Sequence, residues 1–476
     1  MTDPANVDDA VDPELVAWLV DVTGTEALTI TRHPGGASRA GYAVDAHLSA
    51  ADGAEGTTQE LWLRTDPGFG PQSGTRYSLR REAAVYRALG PTPMMVAELV
   101  AVHPDLPAFL MQRVTGESRF AQIADPSTQT SIARQFFDQL ATLHRLEASA
   151  LDLPELGPPD TISSHVLDEI AEWEQQYAAV GGGVPTITLA CAWLRANVPD
   201  DEGWPVVLVQ GDTGPGNFMF AGDRLVAVTD WELAHWGDVH DDLAWVLVRD
   251  TLERFPDLEA RFADYEQTSG FTIDATRLRY FRVLTQCRAT IGTLAGLRSR
   301  DARGEIAWQL IYNTLHTRLL AEALAEGDGR ALEPPLEPES GDGAQSWAYD
   351  VALDDLRDVV LPALADNFAA TRAKGVARLL KYLREADRLG PGFAARERAE
   401  LGDLLGEPVS NVEAGRRALC SAIEQGTLGA RSVLPYCLRQ SARDTAVARA
   451  AMGSLADRHF TPVRQLQSGR PEEQQP

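Results

Sequence analysis

The apolar positions of this chain fall into three patterns. Up to about residue 114 they come as short runs: Leu28-Thr29-Ile30-Thr31-Arg32, Tyr42-Ala43-Val44, Leu61-Trp62-Leu63-Arg64 and Ala108-Phe109-Leu110-Met111-Gln112. Runs of this length, bounded by turn residues, predict β-strands. Two helices are predicted among them, one over 13–22 with Leu15, Trp18 and Leu19 on one face, and one over 78–89. From residue 128 the period lengthens to three and four. Ile132, Phe136, Leu140 and Leu143 share a face over 128–146, and helices follow at 164–179, 187–197, 241–250, 257–268, 275–298 and 304–326. The third pattern lies between these helices. Two runs, Val206–Val209 and Val226–Val228, read as buried strands.

Oxygen-bearing side chains sit at the ends of these last strands. Val209 leads through Gln210 and Gly211 to Asp212, a turn with Gly214, Pro215 and Gly216 ends at Asn217, and the next strand leads to Asp230. Phosphoryl transfer from ATP needs a group that orients and deprotonates the acceptor hydroxyl, and hard oxygen ligands for Mg²⁺. Asp212 is placed for the first task, Asn217 and Asp230 for the second. Asp212 and Asn217 keep the D-x-x-x-x-N spacing of a kinase catalytic loop, with Asp230 where the metal-binding Asp would follow.

The run Gln210-Gly211-Asp212-Thr213-Gly214-Pro215-Gly216-Asn217, with Asp230-Trp231-Glu232 and Gly237-Asp238-Val239-His240-Asp241-Asp242-Leu243-Ala244, resembles the aminoglycoside phosphotransferase family. One position departs: the family begins its loop with His, and here it is Gln210. Gln still donates and accepts hydrogen bonds, so the change touches the support of the loop more than its chemistry.

The resemblance covers roughly 25–325 and implies an α+β, bilobal protein-kinase-like fold. It implies ATP and Mg²⁺ as cofactors and a small-molecule hydroxyl as acceptor. On it, the hairpin loop with Gly35, Gly36 and Ser38 covers the nucleotide phosphates, and Arg64 stands where kinases carry the phosphate-gripping Lys. Glu82 pairs with Arg64, Gln112 to Val114 meet the adenine through main chain, and Asp242 anchors the catalytic loop. His144, at the end of an L-x-x-L-H run, reads as structural. The Pro34-Gly35-Gly36-Ala37-Ser38 loop, the Leu63-Arg64 strand end and Asp230-Trp231-Glu232 look more like the branch that includes kinase domains fused to acyl-CoA dehydrogenases. That branch points to a hydroxyacyl-CoA-like acceptor. An aminoglycoside-type antibiotic kinase and a nucleotide-binding pseudokinase scaffold are the rival readings.

Composition sets outer bounds. The net charge of -26 opposes non-specific binding to nucleic acid or an anionic membrane. Cys191, Cys287, Cys420 and Cys437 are dispersed, without C-x-x-C pairs, which indicates neither a zinc site nor a disulfide framework. The acidic N-terminus has no signal-peptide core and no apolar run spans a bilayer, so a cytoplasmic location is expected. Residues 327–345 are rich in Pro, Gly and acid and read as a linker. The expected division is a small lobe over 1–115, a helical lobe over 116–326, the linker, an all-α domain over 346–464 and a disordered tail over 465–476. In the helical domain Leu353, Leu356, Val360 and Leu364, and then Val376, Leu379, Leu380 and Leu383, recur at helical spacing and read as core.

Overall fold

A computed structural model describes residues 11–33, 39–48, 56–68, 72–300, 306–330 and 341–463. Helix α1 (Pro13–Thr23) starts at Asp12, whose carboxylate accepts from the Glu14 amide, and stops at left-handed Gly24. Strands β1 (Leu28–Arg32), β2 (Ala40–Leu48), β3 (Thr57–Thr65), β4 (Leu99–Val102) and β5 (Ala108–Gln112) form one antiparallel sheet in the order β1-β2-β3-β5-β4. Alternation assigns its two faces. Tyr42, Val44, Leu61, Leu63 and Leu110 point to the side covered by Leu15 and Leu19 of α1. Trp62, Arg64 and Phe109 therefore point the other way, where α2 (Leu79–Leu89) brings Tyr86 to 5.8 Å from Phe109. One polar residue in an apolar strand is thus aimed at the side of the sheet that carries Glu82.

The described residues pack into two compact units. The first holds the sheet, α2, α3 (Pro126–His144), the start of α4 (Ile162–Ala179), and Asp201–Ile273; the second holds Val166–Asp200 and Asp274–Val463. Helix α5 (Pro185–Ala196) belongs to the second unit. In the first unit, β6 (Val207–Val209) pairs with β9 (His235–Gly237), and β7 (Phe218–Ala221) pairs with β8 (Arg224–Val228). Helices α6 (Val239–Leu252) and α7 (Leu258–Ser269) follow. Phe136, Phe218 and Phe255 pack together here, with ring centroids 4.8 to 6.4 Å apart. Because Phe218 is anchored in this cluster, the adjacent Asn217 is fixed at the strand's mouth.

The second unit contains α5, α8 (Ala275–Ser299), α9 (Ile306–Gly327) and α10 (Ser346–Asp355). A wide turn at Leu356–Val360 leads to the short α11 (Leu361–Ala363). Helices α12 (Asn367–Leu405), α13 (Val412–Glu424) and α14 (Ala430–Met452) complete it. Glu397 of α12 binds Arg416 at 2.6 Å and the Tyr436 hydroxyl at 2.8 Å, tying three helices together. The units do not follow the composition break: α9, expected in the catalytic lobe, packs against α12 and α14, and α8 packs against α9 in the same unit. The two leucine stripes are also corrected. None of their eight residues is buried, and Val376 and Leu383 are 49% and 45% exposed. A helix covered on one side only leaves part of its apolar face in water. All four cysteines are buried and free. Among the described residues no helix is long and apolar enough to cross a membrane. The tail expected after 465 lies outside the described residues.

Candidate active site

The loop after β6 is built around one buried acid. Asp242 lies in the first turn of α6 and is 0% exposed. Its Oδ2 accepts from the Gln210 amide and its Oδ1 from the Gly211 amide, both at 2.9 Å. His144, at the end of α3, places Nε2 3.1 Å from Oδ2, and its Nδ1 lies 2.7 Å from the Tyr265 hydroxyl. The Thr213 hydroxyl donates to the Asp242 carbonyl at 2.5 Å. Asp242 is thus a positioning residue for the loop, with His144 holding it from behind. Gly211 has φ 86°, and a Cβ there would lie 2.5 Å from the Leu233 carbonyl oxygen, so the sharp entry into the loop requires glycine.

Gln210 supplies the remaining ties. Its Nε2 donates to the carbonyls of Thr229 at 3.0 Å and Asp230 at 2.7 Å. Its Oε1 accepts from the Asp212 amide at 2.9 Å. The departure from His therefore still gives one side chain bridging the Asp212 loop and the Asp230 turn. Asp230 itself has φ 62°, an uncommon conformation for a residue with a side chain and one that clusters at functional sites. Trp231, 1% exposed, donates its indole N–H to Val228 and pins that turn.

Asp212 faces Asn217 and Arg249. Asn217 Nδ2 donates to the Asp212 carbonyl at 2.7 Å and to Oδ2 at 2.8 Å. Arg249 of α6 donates Nε to Oδ1 at 2.9 Å and a terminal nitrogen to Oδ2. Burial pushes the Asp212 carboxyl above its ordinary value, and the Arg249 guanidinium opposes that rise. Nothing in the sequence reading pointed to Arg249. Its only sequence signal is its place two helical turns after Asp242, on the same face of α6.

Arg64 sits where alternation aims it. Its guanidinium lies 3.3 Å from Glu82, 3.2 Å from Asp230 and 3.5 Å from Glu232. Burial disfavours its charge, but Glu82 and Asp230 outweigh that and raise its pKa. Glu82 is 1% exposed, and burial pushes it up to about 7 against the pull of Arg64. A second arginine, not expected from the sequence, joins the cluster. Arg39 meets Asp66 at 2.5 Å, donates to the Tyr77 carbonyl and lies 3.7 Å from Glu232. Gly35, Gly36 and Ser38 of the expected phosphate loop lie outside the described residues. At the hinge, the Gln112 amide donates to the Glu98 carbonyl at 2.8 Å, which withdraws that N–H from any base. Arg113 donates its own amide to Glu60, so Val114 is the hinge residue whose N–H is uncommitted among the described residues.

The donor set suits Mg²⁺ and a polyphosphate. With its nitrogen turned to Asp212, Asn217 has an amide oxygen to offer, and the Asp230 carboxylate is 32% exposed. Among the described residues no group of three His, Cys, Asp or Glu could hold a metal unaided, so phosphate oxygens would have to complete the shell. Arg39 Nε, Arg64 Nε and both Glu82 carboxylate oxygens are buried without a hydrogen-bond partner among the described residues.

A model of the phosphotransferase enzyme family matches residues 29–281, just over half of the chain. The acyl-CoA dehydrogenase family member 11 of Rattus norvegicus is 31% identical over 122 residues, which are 25% of this chain and 15% of that protein. Its counterpart in Gallus gallus is 28% identical over 197 residues, 39% of this chain and 25% of that one. The chain thus spans a quarter or less of the length of these relatives. A crystal structure of a candidate aminoglycoside phosphotransferase from Ralstonia eutropha superposes with a TM-score of 0.50 at 20% identity, covering 66% of this chain and 96% of that one. At that identity the likeness is one of fold.

Proposed function

We propose, from the premise that this chain belongs to the phosphotransferase enzyme family, that it moves the γ-phosphoryl group of ATP to the hydroxyl of a hydroxyacyl-CoA-like metabolite. That it is a phosphotransferase with an alcohol acceptor follows from the family; the nucleotide, the metal and the acceptor are our reading. The observation that carries it is the carboxylate of Asp212, bracketed by Asn217 at 2.8 Å and Arg249 at 2.9 Å on a loop fastened to buried Asp242.

In this reading Asp212 accepts a hydrogen bond from the acceptor hydroxyl, aligns it for in-line attack and takes its proton. Arg64 holds phosphate oxygens through its two-pronged fork, and Glu82 fixes the fork's direction. Asp230 and Asn217 would hold Mg²⁺, which would offset negative charge on the phosphates. The Val114 N–H is offered to the base. Gln210 and Asp242 keep the two halves of the site in register before any ligand arrives. The hydroxyacyl-CoA assignment is supported by the dehydrogenase relatives, whose matched part is a minor share of their length.

The test is transfer of labelled phosphate from ATP to a panel of hydroxyacyl-CoAs, sugars and aminoglycosides, with Asp212→Asn as control. The reading expects a hydroxyacyl-CoA to accept label and the control to abolish it. Transfer to an aminoglycoside alone would move the chain to antibiotic chemistry. ATP binding without transfer to any acceptor would favour a pseudokinase scaffold.

A further inference from the structure

We propose that Arg249 contributes to acceptor specificity: it orients Asp212 for the hydroxyl, and its charge lowers the site's affinity for cationic acceptors relative to neutral or anionic ones. This deepens the proposed function and rests on Asp212 being the group that meets the acceptor.

The geometry is that of a built contact. Arg249 engages both oxygens of Asp212, one through Nε at 2.9 Å and the other through a terminal nitrogen. A two-point contact fixes the plane of the carboxylate, which a single-point cation cannot do. The stem of Arg249 runs against Gly214, where a Cβ would lie 2.6 Å from the Arg249 Cβ. The catalytic turn therefore yields space to this side chain. Asp242 and Arg249 project from one face of α6, so one helix sets both the loop's backbone and its reactive carboxylate. Arg249 is one-quarter exposed, within reach of an incoming acceptor.

The charge consequence follows directly. An unpaired carboxylate at the attack point favours ammonium groups, the chemistry of a polyamine sugar. Here the guanidinium offsets the Asp212 charge and so weakens that attraction, with the carboxylates of Asp230 and Glu253 also acting on the pair. A hydroxyl flanked by a carbonyl or carboxylate oxygen meets a donor instead.

The test uses the full chain with Mg²⁺ and a non-hydrolysable ATP analogue for binding, and ATP for turnover. Kanamycin is the cationic probe, 3-hydroxybutyryl-CoA the anionic one and its N-acetylcysteamine thioester the neutral one. Arg249→Met should bind kanamycin about tenfold more tightly than wild type at low salt. It should lose about 10²-fold in kcat for the hydroxybutyryl acceptors with KM for ATP unchanged, as expected for a misaligned carboxylate. Arg249→Lys keeps the charge without the fork: it should bind kanamycin as weakly as wild type yet recover little kcat. Equal kanamycin affinity in wild type and Arg249→Met overturns the proposal, as does full kcat in Arg249→Lys. If Arg249→Met does not fold, the lysine variant decides alone. If wild type phosphorylates none of the probes, the proposed function falls, and the kanamycin binding comparison still judges Arg249.

Discussion

Two parts of the site sit side by side and are built differently. The Asp212 loop is saturated: Asp242, Gln210 and Asn217 make hydrogen bonds of 2.7 to 3.1 Å. The arginine clamp is uneven: Arg39 meets Asp66 at 2.5 Å and donates to the Tyr77 carbonyl, whereas Arg64 meets Glu82, Asp230 and Glu232 at 3.2 to 3.5 Å, and among the described residues Arg64 Nε and both Glu82 oxygens lack a hydrogen-bond partner. The first arrangement holds its shape without a ligand. The second is held less tightly at Arg64, the residue we propose to grip the phosphates. Stability and function should therefore separate between the two parts.

The largest effect should come from the saturated part. Asp242→Asn leaves one of the two loop amides unpaired in a fully buried place, which costs about 1–3 kcal/mol. A drop in Tm should accompany turnover loss of about 10²-fold, since the loop carries Asp212. An unchanged Tm would break the distinction. Next, Arg64→Ala should raise KM for ATP and lower kcat while moving Tm little, because Glu82 can take a proton at modest cost. Loss of folding in this variant would show that the clamp is structural after all.

A pH profile sharpens the same contrast. Glu82 has its folded pKa raised from 4.5 to about 7, so it takes a proton as pH falls through about 7 and then ceases to fix Arg64. kcat/KM for ATP should therefore fall on the acid side with that midpoint. The sign for stability is opposite. The folded protein keeps this proton where the unfolded chain has lost it, so this group's contribution declines as pH rises from about 4.5 to about 7 and is flat above. Glu82→Gln should remove both slopes and sit near the acid plateau; a persisting activity limb would assign it to another group. The smallest effect belongs to Gln210. Gln210→Ala should cost about tenfold in turnover by loosening three hydrogen bonds, and Gln210→His should recover most of it. Equal activity of all three would mean that Asp242 holds the loop alone.

Much of this was legible in the chain. The strand Leu61-Trp62-Leu63-Arg64 and its likeness to a kinase phosphate strand singled out Arg64, and the spacing from Asp212 through Asn217 to Asp230 marked the central loop. The strand Leu99–Val102 was not predicted because a short edge strand carries little alternation, and β9 because His235-Trp236-Gly237 has no apolar run. Arg249 and Arg39 escaped because each acts through a contact made in space, with partners 37 and 27 positions away. The packing units were hidden for a similar reason. The Pro- and Gly-rich stretch marks a break in composition, whereas α9 and α14 meet across it.

We propose that Asp212 serves the acceptor and Asp230 the metal. Titrating Mg²⁺ in Asp212→Asn and Asp230→Asn, with nucleotide binding and turnover read together, tests it most directly. Asp212→Asn should bind Mg-ATP as wild type does and lose about 10²–10⁴-fold in kcat at every Mg²⁺ concentration. Asp230→Asn should bind Mg-ATP weakly and recover part of its turnover as Mg²⁺ rises. Wild-type turnover in Asp212→Asn, or rescue of that variant by Mg²⁺, would contradict the account.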